Sequence, residues 1–420
     1  MVDRWLQAHA TRLAETLAAL VAFPTPSPPG RNTARAQAWV AGRLRDLGMS
    51  VESFEVYPGD PDVVGRLPGR GGGPSLLLNA HIDVAEVGDA SAWKHPPFQL
   101  TVDGDRAYGR GSADMKGGLA ACLLALEAVV ASGVRLAGDV LFESVIGEEQ
   151  GEAGTRSACE RGHRADLALV ADSSGLAVQG QGGVLTGWIE IHSPETFHDG
   201  MRRRMVHAGG GVHGASAIEK MTRLVTALGE LERHWAVTRS YPGFPPGSTT
   251  INPAVIRGGR HPAFVADHCA LWITVHFYPD RTWQEVAAEV ETHVRAAAAA
   301  DPWLREHPPA FRWGGRSMLV DEGEVFAPVP LDPEHPGVRV LRAAHAEVTG
   351  RPAHVGMSPT VTDGGWLAEA GMPTAIYGPG HLEQAHAVDE WVSLAEVLTA
   401  ARVLARTMLA WCGKEADPVV

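Results

Sequence analysis

Three apolar segments in the first half of the chain end in side chains that can do chemistry. The runs that begin near residues 76, 139 and 166 have the composition of buried strands in a parallel sheet. The polar side chains at their ends are His81, Asp83, Glu148, Glu149 and Asp172. Open α/β sheets place their ligands beyond the carboxyl ends of the strands. The pattern therefore predicts a functional site along one edge of a sheet.

Segments with helical spacing of apolar residues alternate with these strands. Helices are predicted at 4–22, at 33–47, after residue 117, near 337–349 and at 393–412, and further strands at 50–57 and 373–378. Strands that alternate with helices are typical of an α/β fold with a doubly wound sheet.

The pattern changes from about residue 183. Segments 183–193 and 268–279 alternate apolar with polar residues, and a helix follows the glycine-rich stretch 207–221. Half-exposed antiparallel strands with helices indicate a separate α+β domain inserted into the first. The predicted organisation is a catalytic domain at 1–184 and 315–420, with an inserted domain at 185–314.

Composition is consistent with two domains and a small-molecule substrate. A chain of 420 residues exceeds the roughly 250–300 residues that one core usually serves. Its formal charge of −13 disfavours nucleic acid and anionic membranes as partners, because both attract clustered Lys and Arg. Four widely spaced cysteines predict neither disulfides nor a thiolate metal site. With no evident signal peptide or membrane span, we expect a cytoplasmic protein.

The candidate site combines imidazole and carboxylate groups without cysteine. Together with the strand-end residues, we include Asp114 and His386 in this set. Such a donor set suits zinc, cobalt or manganese, and one carboxylate can bridge two ions. On an extended backbone, Glu148 and Glu149 would face opposite sides, which lets one bind metal while the other acts as a base. His81 and Asp83 would share a face, so that Asp83 can orient the imidazole.

Each of these residues has an ordinary interpretation when it is taken alone. A single His or Asp after a strand is commonly a loop residue whose polar atoms bond to backbone amides. The stretch GEEQGE by itself is typical of a solvated acidic turn, and His207 lies in a glycine-rich loop. It is the ordered set that favours a metal site.

The ordered motifs resemble those of the M20 family of metallopeptidases and amidohydrolases. They are NAHID at 79–83, GRGSADMKGG at 109–118, GEEQGEAGT from 147, ADSSG from 171 and AHAVDEW from 385. The family includes acetylornithine deacetylase, succinyl-diaminopimelate desuccinylase, aminoacylase and glutamate carboxypeptidase. The resemblance implies a zinc-peptidase-like catalytic domain, a lid domain through which two subunits pair, and removal of a small acyl group from an amine by a water held between two zinc or cobalt ions.

The resemblance also implies individual roles. His81 and Asp172 would bind one ion, Glu149 and His386 the other, and Asp114 both. Asp83 would orient His81, and Glu148 would be the general base. His207 would reach the partner subunit's site and stabilise the oxyanion, and the peptide bond after Asp114 would be cis.

Two departures from the family pattern bear on the substrate. His276 stands where relatives carry an arginine that meets the substrate carboxylate. Asp172 stands where deacylases usually have Glu, which favours a dipeptidase or aminopeptidase as the alternative. The longer stretch DSSGLAVQGQGGVLTGWIEI is similar to bacterial members that are either acetylornithine-deacetylase-like or deformylases of an aminopyrimidine, and we give this match more weight than the single carboxylate. Asn252, His276 and Asp363 are the candidate substrate contacts. A non-catalytic, metal-stabilised binding protein is the third possibility.

Overall fold

The computed structural model describes residues 2–151, 153–211 and 213–413. The helices of this part of the chain are α1 (Val2–Ala8), α2 (Ala10–Val21), α3 (Ala34–Asp46), α4 (Gly117–Ala131), α5 (Gly154–Glu160), α6 (Ala217–Thr238), α7 (Trp283–Ala299), α8 (Pro302–Glu306), α9 (Pro336–Thr349), α10 (Gly364–Glu369) and α11 (Leu394–Trp411). The strands are β1 (Ser50–Tyr57), β2 (Asp60–Leu67), β3 (Leu76–His81), β4 (Thr101–Asp103), β5 (Arg106–Tyr108), β6 (Val140–Val145), β7 (Leu167–Val170), β8 (Val178–Gln181), β9 (Gly183–His192), β10 (Thr250–Gly258), β11 (His268–Phe277), β12 (Ala310–Trp313), β13 (Val325–Phe326), β14 (Val355–Ser358), β15 (Thr374–Ile376) and β16 (Trp391–Ser393).

The first of two units, residues 1–181 with 328–420, contains an eight-stranded mixed sheet. Its strand order is β1-β2-β6-β3-β7-β15-β8-β14, and β3 runs parallel to both β6 and β7. Every residue of these three strands is buried, as expected for strands covered on both faces. The α/β fold class is confirmed, and three of the strands that carry candidate residues are neighbours.

The N-terminal helix predicted at 4–22 is in fact two helices. The break lies at His9, whose backbone leaves the helical conformation between α1 and α2. Its imidazole stacks on the ring of Trp5, and Nδ1 lies 2.8 Å from the carbonyl oxygen of Trp5. The apolar spacing continues across this break, which is why the sequence pattern gives no sign of it.

The second unit, residues 182–327, contains an antiparallel sheet in the order β10-β11-β9-β12. Helices α6 and α7 pack against each other and against this sheet. We predict a return to the first domain at residue 315, whereas the second compact unit extends to residue 327. The reason is that β13 pairs with β9, and the backbone N–H of Glu324 donates to the hydroxyl of Thr186 at 2.8 Å.

Two further predictions concern membranes and cysteines. Within the described residues, none of the helices is both long and apolar enough to cross a lipid bilayer. The four cysteines are free thiols, and all are buried.

Candidate metal centre

His81 ends β3 with its imidazole buried and both ring nitrogens engaged. Nε2 lies 3.2 Å from Oδ1 of Asp114, and Nδ1 lies 3.0 Å from the backbone carbonyl oxygen of Asp83. A carbonyl only accepts, so Nδ1 donates to it, and Nε2, which faces Asp114, is the nitrogen left to bind a metal. The carboxylate of Asp83 is farther from Nδ1, at 3.6 Å. The backbone of Asp83 thus fixes the tautomer that metal binding needs.

The carboxylate of Asp83 holds the loop that presents the next two candidates. Its oxygens accept the backbone N–H groups of Gly147 at 2.9 Å and Glu149 at 3.1 Å. Gly147 has φ 80°, a left-handed conformation that glycine adopts without strain. Asp83 therefore positions two parts of the site, the imidazole of His81 and the loop that carries Glu148 and Glu149.

Glu148 and Glu149 lie in a turn, not in an extended strand as we expected. Strand β6 ends at Val145, and Glu148–Gln150 form one turn of 3₁₀ helix. In this turn, Oε2 of Glu149 lies 2.8 Å from Nε2 of His386, whereas Oε2 of Glu148 lies 3.9 Å from Nε2 of His81. The two carboxylates still approach different partners, although the reason is turn geometry and not strand alternation.

Asp114 connects two groups of possible metal ligands. The first group is His81, Asp114 and Asp172, and the second is Asp114, Glu149 and His386. Within each group, the ligand atoms lie within 4.8 Å of one another. Oδ1 of Asp114 faces His81 at 3.2 Å and Oδ2 faces His386 at 3.6 Å. One carboxylate with each oxygen turned toward a different imidazole is the arrangement of a bridging ligand.

The charge balance of this site fits bound cations. Burial raises the pKa of Asp83 to about 6 and that of Asp172 to about 7, and it raises the pKa of Glu148 well above its usual range. Neighbouring carboxylates add to the effect, since Asp114 acts on Asp172. Oε1 of Glu149 is also buried, with no hydrogen-bond partner among the residues that the structure describes. Carboxylates gathered at this density are stabilised by positive charge, so the donor set fits a pair of divalent ions.

Glu390 is a residue of the site that sequence reasoning missed. Its buried carboxylate accepts from the backbone N–H groups of Gly111, Ala113 and Asp114 and from Nη1 of Arg110, at 2.7–3.1 Å. It therefore fixes the loop that carries the shared ligand. Glu390 does stand within the quoted motif AHAVDEW, but its bonds span about 280 residues, and no local pattern indicates them.

The remaining candidates are not members of the two ligand groups. Asp363, in the first unit, is buried beside the hydroxyl of Thr155, and burial raises its pKa to about 7. Asn252, His276 and His207 belong to the second unit. Nε2 of His207 lies 2.9 Å from Oε2 of Glu219, near the start of α6.

The Asp114–Met115 peptide bond is cis, as the family resemblance implied. His386, the last of the six ligand and base candidates along the chain, has φ 61°. A non-glycine residue rarely adopts this conformation outside functional or tightly constrained sites.

Known proteins resemble this chain over nearly its whole length. A deformylase of N-formyl-4-amino-5-aminomethyl-2-methylpyrimidine from Halalkalibacterium halodurans is 55% identical over 413 residues, covering 97% of each chain. The enzyme of the same name from Bacillus subtilis is 51% identical over 418 residues, covering 99% of this chain and 98% of its own. A succinyl-diaminopimelate desuccinylase from Alkalilimnicola ehrlichii is more distant, at 29% identity over 87% of this chain and 91% of its own.

Solved structures share the fold at low sequence identity. An M20 family metallo-carboxypeptidase from Sulfolobus solfataricus superposes with a TM-score of 0.74 at 16% identity, covering 94% of this chain and 98% of its own. A dinuclear metal-binding M20 peptidase from Bacillus subtilis superposes with a TM-score of 0.68 at 16% identity, covering 97% of this chain and 99% of its own. The family model of peptidases M20/M25/M40 matches residues 77–410, which contain every ligand of the two groups. The chain belongs to peptidase family M20/M25/M40.

Proposed function

We propose that this protein is a dimetal deformylase that hydrolyses the formamide of a formylated aminomethyl-pyrimidine, with zinc or cobalt as its metal. The chain is a hydrolase of amide bonds, and the proposal concerns its acyl group, amine and metals. The observation that carries it is the pair of ligand groups sharing Asp114, with Glu148 beside them. Identity above 50% over nearly the full length of two deformylases supports the formyl group.

Glu148 is the proposed proton carrier of this reaction. When bound, the two ions would lower the pKa of a water and polarise the formyl carbonyl. The carboxylate of Glu148 takes the proton of the attacking water and then delivers it to the departing amine nitrogen. Burial raises the pKa of Glu148 well above its usual range, so this carboxylate takes up a proton more readily than an exposed one does. Asp83 and Glu390 take no proton in this scheme, because backbone amides occupy their oxygens.

Two of the three proposed substrate contacts, Asn252 and His276, belong to the second unit, and the third, Asp363, belongs to the first. Asn252 lies opposite Thr274, and His276 lies opposite Thr250, on the paired strands β10 and β11. Directly opposed residues of an antiparallel pair share a face, so Asn252 and His276 are neighbours on one face. Burial lowers the pKa of His276, which keeps its imidazole neutral. A neutral group suits an aminopyrimidine, which has no α-carboxylate to pair with a cation.

We further propose that two subunits pair through the second unit and that His207 donates to the oxyanion in the partner subunit. Strand β10 is the edge of its sheet, and most of its residues are exposed, which is the kind of strand that a second chain can pair with. We place the enzyme in the cytoplasm, where its free thiols would stay reduced.

A substrate panel tests the reaction. The zinc- or cobalt-loaded enzyme is assayed with the formylated aminopyrimidine, N-acetylornithine, N-succinyl-diaminopimelate and dipeptides. We expect the highest kcat/KM for the formylated pyrimidine. Preference for dipeptides would favour the peptidase alternative and make Asp172 the informative residue. Turnover of none of these amides by the fully metallated enzyme would favour a binding protein.

Mixed dimers test the role of His207. His207→Ala should lower kcat by about 10²–10³-fold, as for the loss of one oxyanion donor. Mixing it with the inactive Glu148→Gln variant should restore activity, because one site of the mixed dimer then carries both intact residues. A mixture no more active than its components would contradict a shared site. His213→Ala, in the same loop, is the matched control and should keep full activity.

A further inference from the structure

A second set of metal-binding side chains lies on the sheet of the second unit. Glu190 and His192 are two residues apart on β9, so their side chains lie on the same face of that strand. His268, the first residue of β11, is directly opposite His192 in the antiparallel register. Residues in this relation have Cβ atoms about 4.5–5.5 Å apart. The strand pairing therefore brings two imidazoles and one carboxylate to one place.

The geometry of this cluster suits a single ion. One ligand atom from each of the three side chains lies within 4.8 Å of the other two. Nε2 of His192 is 3.4 Å from Oε2 of Glu190, and the rings of His192 and His268 have their centroids 4.5 Å apart. Glu190 makes no ion pair with a lysine or arginine among the residues that the structure describes. The side chain of His192 is 64% exposed, so an ion can enter directly from solvent.

We propose that Glu190, His192 and His268 bind one divalent transition-metal ion, with water completing its coordination. Two imidazoles and one carboxylate form a nitrogen-rich set that prefers zinc, nickel or copper(II) over magnesium or calcium. All ligands of the proposed catalytic centre belong to the first unit, whereas these three belong to the second. This site therefore shares no ligand with the proposed catalytic centre, and its occupancy does not depend on the reaction that the enzyme catalyses.

The ion would link the bases of two loops that bond to each other. One loop follows His192 and contains His207, and the other, 259–267, precedes His268. The backbone N–H of Ser193 donates to the carbonyl of Asp267 at 2.7 Å, and the N–H of Val265 donates to the carbonyl of Phe197 at 2.9 Å. A metal ion that links His192 to His268 would hold the two strand ends together and so stabilise the two loops that begin and end there. Binding should therefore raise the melting temperature of the protein.

Calorimetric titration tests the proposal. Each protein, the wild type and the variants His192→Ala, His268→Ala and His261→Ala, is first loaded with only two equivalents of zinc per subunit and dialysed, so that zinc suffices for the catalytic centre alone. Nickel chloride is then added. His261 is an exposed histidine of the same loop pair and lies outside the cluster, so its variant is the matched control. We expect one further equivalent of nickel to bind to the wild type and to His261→Ala, with a rise in Tm, and none to bind to the other two variants.

Two results would overturn the proposal. One is the absence of a nickel equivalent beyond the catalytic zinc in the wild type. The other is its persistence in both cluster variants, which would place the ion elsewhere. Zinc content is measured in every sample, so that exchange of nickel into the catalytic centre is seen as zinc loss. Circular dichroism shows whether each variant is folded, and having two separate cluster variants keeps the test decisive if one of them is not.

Discussion

Replacing Glu390 with Gln should disturb the metal centre without touching a metal ligand. Oε1 of Glu390 accepts from the N–H groups of Ala113 and Asp114, and Oε2 accepts from Nη1 of Arg110 and the N–H of Gly111. A glutamine presents one oxygen, so two of these four donors would face an amide NH2 group. The loop carrying Asp114 would lose its anchor on one side.

The size of the expected loss of stability follows from the burial of the ion pair between Glu390 and Arg110. Glu390 and Arg110 are 0% and 2% exposed. Removing one partner of a buried ion pair costs about 3–5 kcal/mol, because the other charge is left unpaired. Burial raises the pKa of Glu390 to about 7, so the carboxylate is ionised mainly above neutral pH. At pH 8, we therefore expect Glu390→Gln to lower the free energy of unfolding by about 3–5 kcal/mol.

The assay combines urea unfolding with metal analysis at pH 8. The matched control is Glu383→Gln, because Glu383 is exposed and lies in the same loop as Glu390, between β15 and β16. It should change the free energy of unfolding by less than about 0.5 kcal/mol. Glu390→Gln should also bind metal more weakly than the control, since Asp114 belongs to both ligand groups. Equal stability and equal metal content in the two variants would refute this reasoning.

Other predictions address single residues. Asp114→Ala should weaken binding of both ions, whereas Asp172→Ala should spare one, as measured by metal content after dialysis. Asp301→Asn should destabilise the protein by about 3–5 kcal/mol, because it leaves the buried Lys220 ammonium without its carboxylate. Burial opposes the charge of Asp301, but hydrogen bonds from the backbone and Lys220 prevail and lower its pKa. The loss in the free energy of unfolding should therefore be complete at pH 7. It should shrink as the pH falls below 3.8, the ordinary pKa of an aspartate, because the carboxylate of the wild type then becomes protonated.

The central strands were predictable because their burial has a local signature. Strands β3, β6 and β7 are continuous apolar runs, and each ends near a candidate residue. Strand β2 was missed, because Asp60, Pro61 and Asp62 indicate a turn. In the fold, Asp60 accepts from the backbone N–H and hydroxyl of Thr33, at 3.1 and 2.6 Å. The carboxylate of Asp60 thus finds its hydrogen-bond donors in a segment about 27 residues earlier, which no local sequence pattern indicates.

The identities of the site residues were more predictable than their geometry. The motifs contain every member of the two groups of possible ligands, whereas the turn at Glu148 depends on Gly147 and on the backbone N–H groups that donate to the carboxylate of Asp83. The backbone carbonyl of Asp83 accepts from Nδ1 of His81. Any residue type has this carbonyl, so the sequence does not indicate the contact. The domain boundary at 328 depends on the two-residue strand β13, which is too short to give a periodic signal.

Glu148→Gln tests the central claim most directly, because it removes the proposed base and leaves every proposed metal ligand in place. Turnover of the formylated aminopyrimidine and bound metal are measured on the same preparation, beside Gln150→Ala as a control in the same turn. We predict unchanged metal content and a loss in kcat of about 10²–10⁴-fold or more, since one residue both takes and returns the proton. Turnover within about tenfold of the wild type at full metal content would contradict the account.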